Sequence, residues 1–372
     1  MNETSHKTLR RGWTTGACAT AAAKAACQAL HLGDFPDPVT ITLPSGQTPA
    51  FALAGYELAN GVASASIIKD AGDDPDVTHG ALITVHLSRR EKGAGPLFVA
   101  GEGVGTITLP GLPLPPGEPA INPVPRQMIE QALREITPDH CDYRIEIAVE
   151  HGKELARKTL NARLGIIGGL SILGTTGIVI PYSCSAWIAS IHRGVDVARA
   201  GGFTHIAGST GSTSEQAVQQ FHALDQRQLI EMGDFVGGLL KYVRSHPVQR
   251  LSLAGGVAKM TKLAQGRLDL HSKRGAANMQ ALATLAQEHK APQSLVDTIR
   301  TANTVAQAFE LAQAHEFPLG ELIAERAWQT AAALLAKTDM ELEILLFDRK
   351  GELRGHKPFE KTHRLSRPRK RR

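Results

Sequence analysis

The chain has 372 residues, 42% of them hydrophobic and 21% charged, a composition typical of soluble globular proteins and long enough for two cores. The net charge of +5 comes from its end: residues 361–372 hold seven Lys or Arg and no acid, so the remainder carries −2. A nucleic-acid partner would rest on that tail alone, which reads as a solvated, disordered end, and no segment has the length of a membrane span.

In chain order, Arg10-Arg11 before an Ala-rich stretch imitates a twin-arginine signal, but Lys24 interrupts the run, and it reads as an ordinary helix over 15–30. Thr14 or Thr15 would cap that helix and Gly33 end it. Residues 39–43 and 48–54 flank Pro44-Ser45-Gly46 as a hairpin, and 62–69 and 81–88 alternate as strands. Short strands over 96–100 and 106–109 flank a Gly-rich turn. A Pro-rich connector over 110–125 leads to a helix over 126–136 and a strand over 144–149. Beyond residue 150 the pattern changes. Strands over 177–180, 203–207, 251–254 and 342–347 alternate with helices over 185–200, from 212, over 232–245 and over 257–265, while 276–338 is mainly helical. Such alternation implies a parallel sheet. The fold class is therefore α+β in two domains. Residues 1–150 form an α+β domain with mostly antiparallel strands, 151–360 an α/β domain with a mainly parallel sheet, and 361–372 a basic disordered tail.

Cys18, Cys27, Cys141 and Cys184 are scattered, with no C-x-x-C pair and no zinc spacing. They fit a reducing compartment; the expectation is a cytoplasmic protein without a bound metal. With 36 Gly and 5% aromatics, loops that approach a ligand by backbone are favoured over stacking platforms.

Three Gly-rich turns carry the chemistry. Gly208-Ser209-Thr210-Gly211 follows an apolar strand, and Ser212 with Glu215 has capping-box spacing. Its free amides suit an anion, or it is a tight capped turn. Gly255-Gly256 also joins strand to helix, with Lys259 and Lys262 on one helical face, either toward an anionic ligand or toward water. The run from Arg163 to Gly177 combines five glycines with apolar residues, as buried backbone close to another segment or a flat ligand would. Gly101-Glu102-Gly103-Val104-Gly105 leads into a strand, so it is not a dinucleotide fingerprint. The loop holding Asp70, Asp73, Asp74, Asp76 and His79 crowds carboxylates between two strands, which can poise one as a base or form a polar turn.

Together these segments resemble one family. Trp13-Thr14-Thr15-Gly16-Ala17-Cys18-Ala19, the 70–80 loop, Gly101 to Gly105, Gly117 to Arg126, Asn161-Ala162-Arg163-Leu164-Gly165, Gly174-Thr175-Thr176-Gly177 and His271-Ser272-Lys273 are similar to the cobalt-precorrin-5B C1-methyltransferases, the CbiD family. The resemblance runs in order from about residue 9 to about residue 275. It breaks at Pro181-Tyr182-Ser183-Cys184-Ser185-Ala186-Trp187, where the family often carries two adjacent acids. The resemblance implies S-adenosylmethionine as donor and methylation of C1 of cobalt-precorrin-5B, giving cobalt-precorrin-6A in anaerobic cobalamin biosynthesis. The cobalt belongs to the substrate.

On that reading the donor would lie at Gly208, Ser209, Thr210, Gly211, Gly255 and Gly256. The polycarboxylate macrocycle would meet Thr14, Thr15, Arg163, Gly174, Thr175, Thr176, Lys259, Lys262, His271 and Lys273, with Arg10 and Arg274 as further rim cations. Asp70, Asp73, Asp74 and His79 would supply the base. Partners would be the corrinoid, other corrin-pathway enzymes and a second copy of the chain, with no nucleic acid or membrane. The competing classes are a corrinoid-binding protein without catalysis and a basic-tailed nucleic-acid binder.

Overall fold

The computed structural model describes residues 9–363. The chain divides into two compact units, Met1–Cys184 and Ser185–Arg372.

In the first unit the elements follow as β1 (Gly12–Trp13), α1 (Thr15–Leu32), β2 (Val39–Thr40), β3 (Ala50–Phe51), β4 (Gly55–Ala59), β5 (Val62–Ile68), β6 (Leu82–Arg89), β7 (Leu97–Ala100), β8 (Thr106–Ile107), α2 (Pro123–Arg134), β9 (Tyr143–Val149), α3 (Gly152–Ala156), β10 (Ile166–Ile167) and β11 (Ile178–Val179). The main sheet has the order β4-β5-β6-β9-β7 and is antiparallel except where β7 joins β9 in parallel. β5 and β9 alternate buried and half-exposed residues, as a sheet covered on one face requires. The covering element is α1, which packs on β5, β6 and α2. Its run of buried alanines allows a close approach to Ile83, Val85, Ile145 and Ile147. Thr14 caps α1 by accepting the Ala17 amide, and Gly33 ends it at φ 78°, as the sequence predicts.

The second unit continues with α4 (Cys184–Ala200), β12 (His205–Ser209), α5 (Ser212–His222), β13 (Leu229–Glu231), α6 (Val236–Ser245), β14 (Arg250–Gly256), α7 (Val257–Ala264), α8 (Met279–Glu288), α9 (Gln293–Thr301), α10 (Val305–Ala314), α11 (Leu319–Leu335), β15 (Glu341–Phe347) and β16 (Leu353–Lys361). Its sheet order is β13-β12-β14-β15-β16, parallel except for β16 at the edge. One face holds Ala207, Ala254, Leu345 and Phe347 against Val218 of α5. On the other face Leu251, Leu253 and Ile344 pack with Leu239 and Leu240 of α6, Met260 of α7 and Trp328 of α11.

Several expectations change. The segment 151–184, grouped by its pattern with the second half, pairs within the first unit: β10 joins β8 and β11 joins β1, both antiparallel. The apolar run 177–180 is therefore not a strand of the parallel sheet; two-residue strands carry too little period to say where they pair. The helix expected over 232–245 starts only at Val236, after β13 and a turn in which the Phe235 amide donates to the Met232 carbonyl. The first residues of the tail expected from 361 are folded. Lys361 is the last residue of β16, and Thr362 is fully buried, its hydroxyl donating to the carbonyls of Leu335 and Thr338. The rest of that predicted tail, 364–372, lies outside the described residues. Among the described residues no helix is long and apolar enough to cross a membrane.

Candidate functional site

In the first unit the residues singled out by sequence fold onto one another. The acidic loop joins β5 to β6 and grips the chain just before α1. Arg10 forms a two-pronged ion pair with Asp70. The Arg10 amide donates to Asp73 Oδ2 at 2.6 Å and the Asp73 amide returns to the Arg10 carbonyl at 2.9 Å. Gly12 and Gly72 make this possible: a Cβ on Gly12 would lie 2.0 Å from the Ala71 carbonyl carbon, and one on Gly72 2.2 Å from the Arg10 oxygen. Asp74 reaches the other end of the glycine-rich run, accepting the Tyr182 amide at 2.8 Å. Lys69, only 2% exposed, is held by Asp76 and Thr78. His79 Nδ1 accepts the Ala71 amide at 3.1 Å, so in the neutral ring the proton sits on Nε2.

These contacts decide which carboxylate can take a proton. The Arg10 guanidinium, then the Gly72 amide, hold Asp70 below the usual carboxylate range. Burial pushes Asp76 up, but Lys69 and Thr78 outweigh it and the net direction is down. Both favour the charged form and are weak bases near neutral pH.

The run from Arg163 to Gly177 is laced by backbone into this unit. Leu170 exchanges hydrogen bonds with Gly103 and Gly105, and Ile172 with Ala120 and Asn122. Its glycines serve those approaches: a Cβ on Gly169 would lie 2.2 Å from the Gly103 oxygen, and one on Gly174 2.4 Å from Thr14 Oγ1. The close partner is thus another chain segment. Thr14 and Thr15 are buried, and Gly16 at the head of α1 already donates to the Leu173 carbonyl. Thr175 and Thr176 remain exposed, as do Ile167, Leu173 and Ile180 along the same run.

In the second unit the chain leaves β12 toward β13 on one side and returns to β14 on the other. In an open parallel sheet, ligands bind beyond the carboxyl ends of the strands where the order reverses. Both Gly turns of this unit lie there. They are not equivalent. A Cβ on Gly208 would lie 2.4 Å from Leu239 Cδ2, and one on Gly255 2.6 Å from Met260 Sδ, so these two glycines make room for helices. Gly211 and Gly256 face open space. Gly211, not Ser212, precedes the first turn of α5, so the expected capping box is absent, as the cap has no side-chain oxygen; the Ser209 hydroxyl donates to Glu215 at 3.3 Å.

Thr210 bridges the two turns: its amide donates to the Ala254 carbonyl at 3.0 Å and its hydroxyl accepts the Gly256 amide at 3.4 Å. Lys259 donates to the Thr210 carbonyl at 2.8 Å and stands 3.1 Å from Asp234 Oδ1. That buried oxygen has no hydrogen bond of good geometry. Lys262 does not belong to a rim. It is buried, and its ammonium donates to the Leu270 carbonyl, while the Leu270 amide donates to Asp234 O. Lys262 thus anchors the loop carrying His271, which accepts the Lys273 amide, and the exposed Lys273.

Glu231, Asp234 and Trp187 were missed. Glu231 ends β13 beside Ser209, and a signal existed: an acid about 20 residues after a strand-to-helix Gly turn is the ribose position of nucleotide-binding folds. Trp187, 44% exposed, donates its indole N–H to the Glu231 carbonyl at 3.3 Å and covers Gly233. It belongs to the stretch where the resemblance breaks, so no motif marked it.

Comparisons with known proteins agree over both units. The family model described as CbiD matches residues 2–181, and that described as CbiD, C-terminal domain, matches 269–358. A protein named cobalt-precorrin-5B C(1)-methyltransferase from Agrobacterium fabrum is 60% identical over 97% of this chain and 96% of its own. One of the same name from Bradyrhizobium sp. is 55% identical over 98% of this chain and 100% of its own. A crystal structure described as a cobalamin biosynthesis protein from Archaeoglobus fulgidus is 26% identical, with a TM-score of 0.38 over 67% of this chain and 77% of that one. By its matches to both family models and to full-length relatives, the chain belongs to the CbiD family.

Proposed function

We propose that this protein methylates C1 of cobalt-precorrin-5B with S-adenosylmethionine as donor, giving cobalt-precorrin-6A. Its relatives carry the name of that reaction. The observation that supports a donor site is the switch point between β12 and β14, open at Gly211 and Gly256, with Glu231 ending β13 beside Ser209.

The residues there suit the donor. Open backbone at Gly211 and Gly256 would lie against its carboxylate end. Glu231 would take the ribose hydroxyls, and Asp234, paired with Lys259, would add negative charge near a sulfonium or an amine. The donor supplies an electrophilic methyl group. Lys259 fixes the crevice by tying Thr210 to Asp234. Lys273, Arg274 and His271 would meet carboxylates of the macrocycle, and Trp187 offers an apolar face. In the first unit the exposed Thr175 and Thr176 remain candidates for the substrate, and Arg163 stays a rim candidate. Among the loop acids, Asp70, Asp73 and Asp76 are committed to Arg10 and Lys69. Asp74, which like Asp73 accepts a single amide on one oxygen but does not hold Arg10, would be the acid that accepts a proton.

The test is calorimetry with S-adenosylmethionine and S-adenosylhomocysteine on wild type, Gly211→Val and Gly256→Val. Neither glycine has a left-handed φ and both face open space, so both variants fold, and each should weaken donor binding tenfold or more while Gly208→Val disrupts the core. A wild type that binds the corrinoid but no donor would instead be a binding protein without catalysis.

A further inference from the structure

Away from the crevice, on the face of the second sheet that carries α5, three donor-bearing side chains converge. His205 opens β12, His222 closes α5 and Glu343 lies on β15. Their ligand atoms all lie within 4.8 Å of one another. Two ligands about 2.1 Å from one zinc at a tetrahedral angle stand about 3.4 Å apart, so closing on an ion takes shifts of roughly an ångström. Glu343 is 2% exposed, and a carboxylate is rarely buried so deeply without cationic partners or a metal.

The surroundings hold that carboxylate in place. His356 Nε2 stands 2.8 Å from Glu343 Oε1, and Ser252 donates to Oε2 at 2.6 Å. His222 Nε2 is 2.6 Å from the same Oε2. His205 Nε2 faces Ser252 Oγ at 2.9 Å. Phe221 and Phe359 wall the cluster. The Phe359 ring lies 5.2 Å from His205 and 5.7 Å from His222, and the Phe221 ring 4.8 Å from His222. Two imidazoles and one carboxylate, with the carboxylate held by outer hydrogen bonds and the rings packed on aromatics, form a nitrogen-oxygen donor set of the kind that takes zinc-class cations.

We propose that His205, His222 and Glu343 bind one divalent cation of the zinc class, with His356 and Ser252 orienting the carboxylate. The ion ties the end of α5 to β12 and β15 at the amino-terminal half of the strands, opposite the crevice, and so has a structural role.

The test uses the full chain without an affinity tag, stripped by chelator and titrated with Zn²⁺ by calorimetry, and with Co²⁺ followed by visible absorption. The expected result is one equivalent bound, with ligand-field bands from Co²⁺ and a melting temperature that rises with free Zn²⁺. His222→Gln, which can still donate to Glu343, and His205→Gln, which leaves every Glu343 contact in place, should each lose the tight equivalent. His356→Ala should weaken it by about 10–100-fold. Less than half an equivalent bound by wild type, or unchanged affinity in both glutamine variants, would overturn the proposal.

Discussion

The four aspartates between β5 and β6 have the same side chain and different fates, because each meets a different partner. Asp70 and Asp73 hold Arg10, Asp76 neutralises the buried Lys69, and Asp74 holds the Tyr182 amide. Asp74→Asn should therefore lower kcat by about 10²–10⁴-fold with donor affinity unchanged. Asp70→Asn should act through the placement of Arg10, raising KM more than it lowers kcat. Steady-state kinetics separates the two, and an Asp74→Asn enzyme with more than a third of wild-type kcat would remove the loop from the chemistry. Lys69 and Asp76 give a pH signature. The folded-state Asp76 lies below its ordinary value, so its stabilising share is present above about pH 4 and lost as pH falls through the folded value. Breaking a buried pair costs about 3–5 kcal/mol. Asp76→Asn should thus melt well below wild type at pH 7, with the gap narrowing below pH 4. A gap constant with pH would show that the pair's charge is not what stabilises the loop.

At the scale of elements, sequence pattern located most segments and missed several strands. The helices α1 and α4, the strands β5, β6, β9 and β15 and the helical stretch α8 to α11 were legible, since each sustains its period over enough residues. β4, β13 and β16 were not; β13 is three residues long, and β16 lies in a charged, irregular edge with bulges against β15. β16 also shows where the fold stops tolerating truncation. Ending the chain after Glu360 removes Thr362, whose amide donates to Met340 and whose hydroxyl donates to Leu335 and Thr338. At about 1–3 kcal/mol for an orphaned buried polar group, that truncation should lower the melting temperature by several degrees. Truncation after His363 keeps every contact described here and should leave it unchanged. Equal melting by scanning calorimetry of the two truncated chains would show that Lys361 and the buried Thr362 add nothing.

At the scale of the whole molecule, each unit has a core of its own: α1 over an antiparallel sheet in one, α5 on one face and α4, α6, α7 and α11 on the other face of a parallel sheet in the second. Residues 185–372 expressed alone should fold cooperatively, with the circular dichroism of an α/β protein. A chain fragment that stays unfolded would show that its core is incomplete without the first unit. The sequence by itself determined the family, the two kinds of sheet and the turns that carry Gly211 and Gly256, because long motifs and sustained periods are local properties of a chain. Only the tertiary structure decided which glycines face open space and which face Leu239, Met260 or Thr14. It alone decided that Lys262 is buried, and that His205, His222 and Glu343, from three separate elements, meet. Those outcomes depend on contacts between residues far apart in the chain, and no local spacing encodes them.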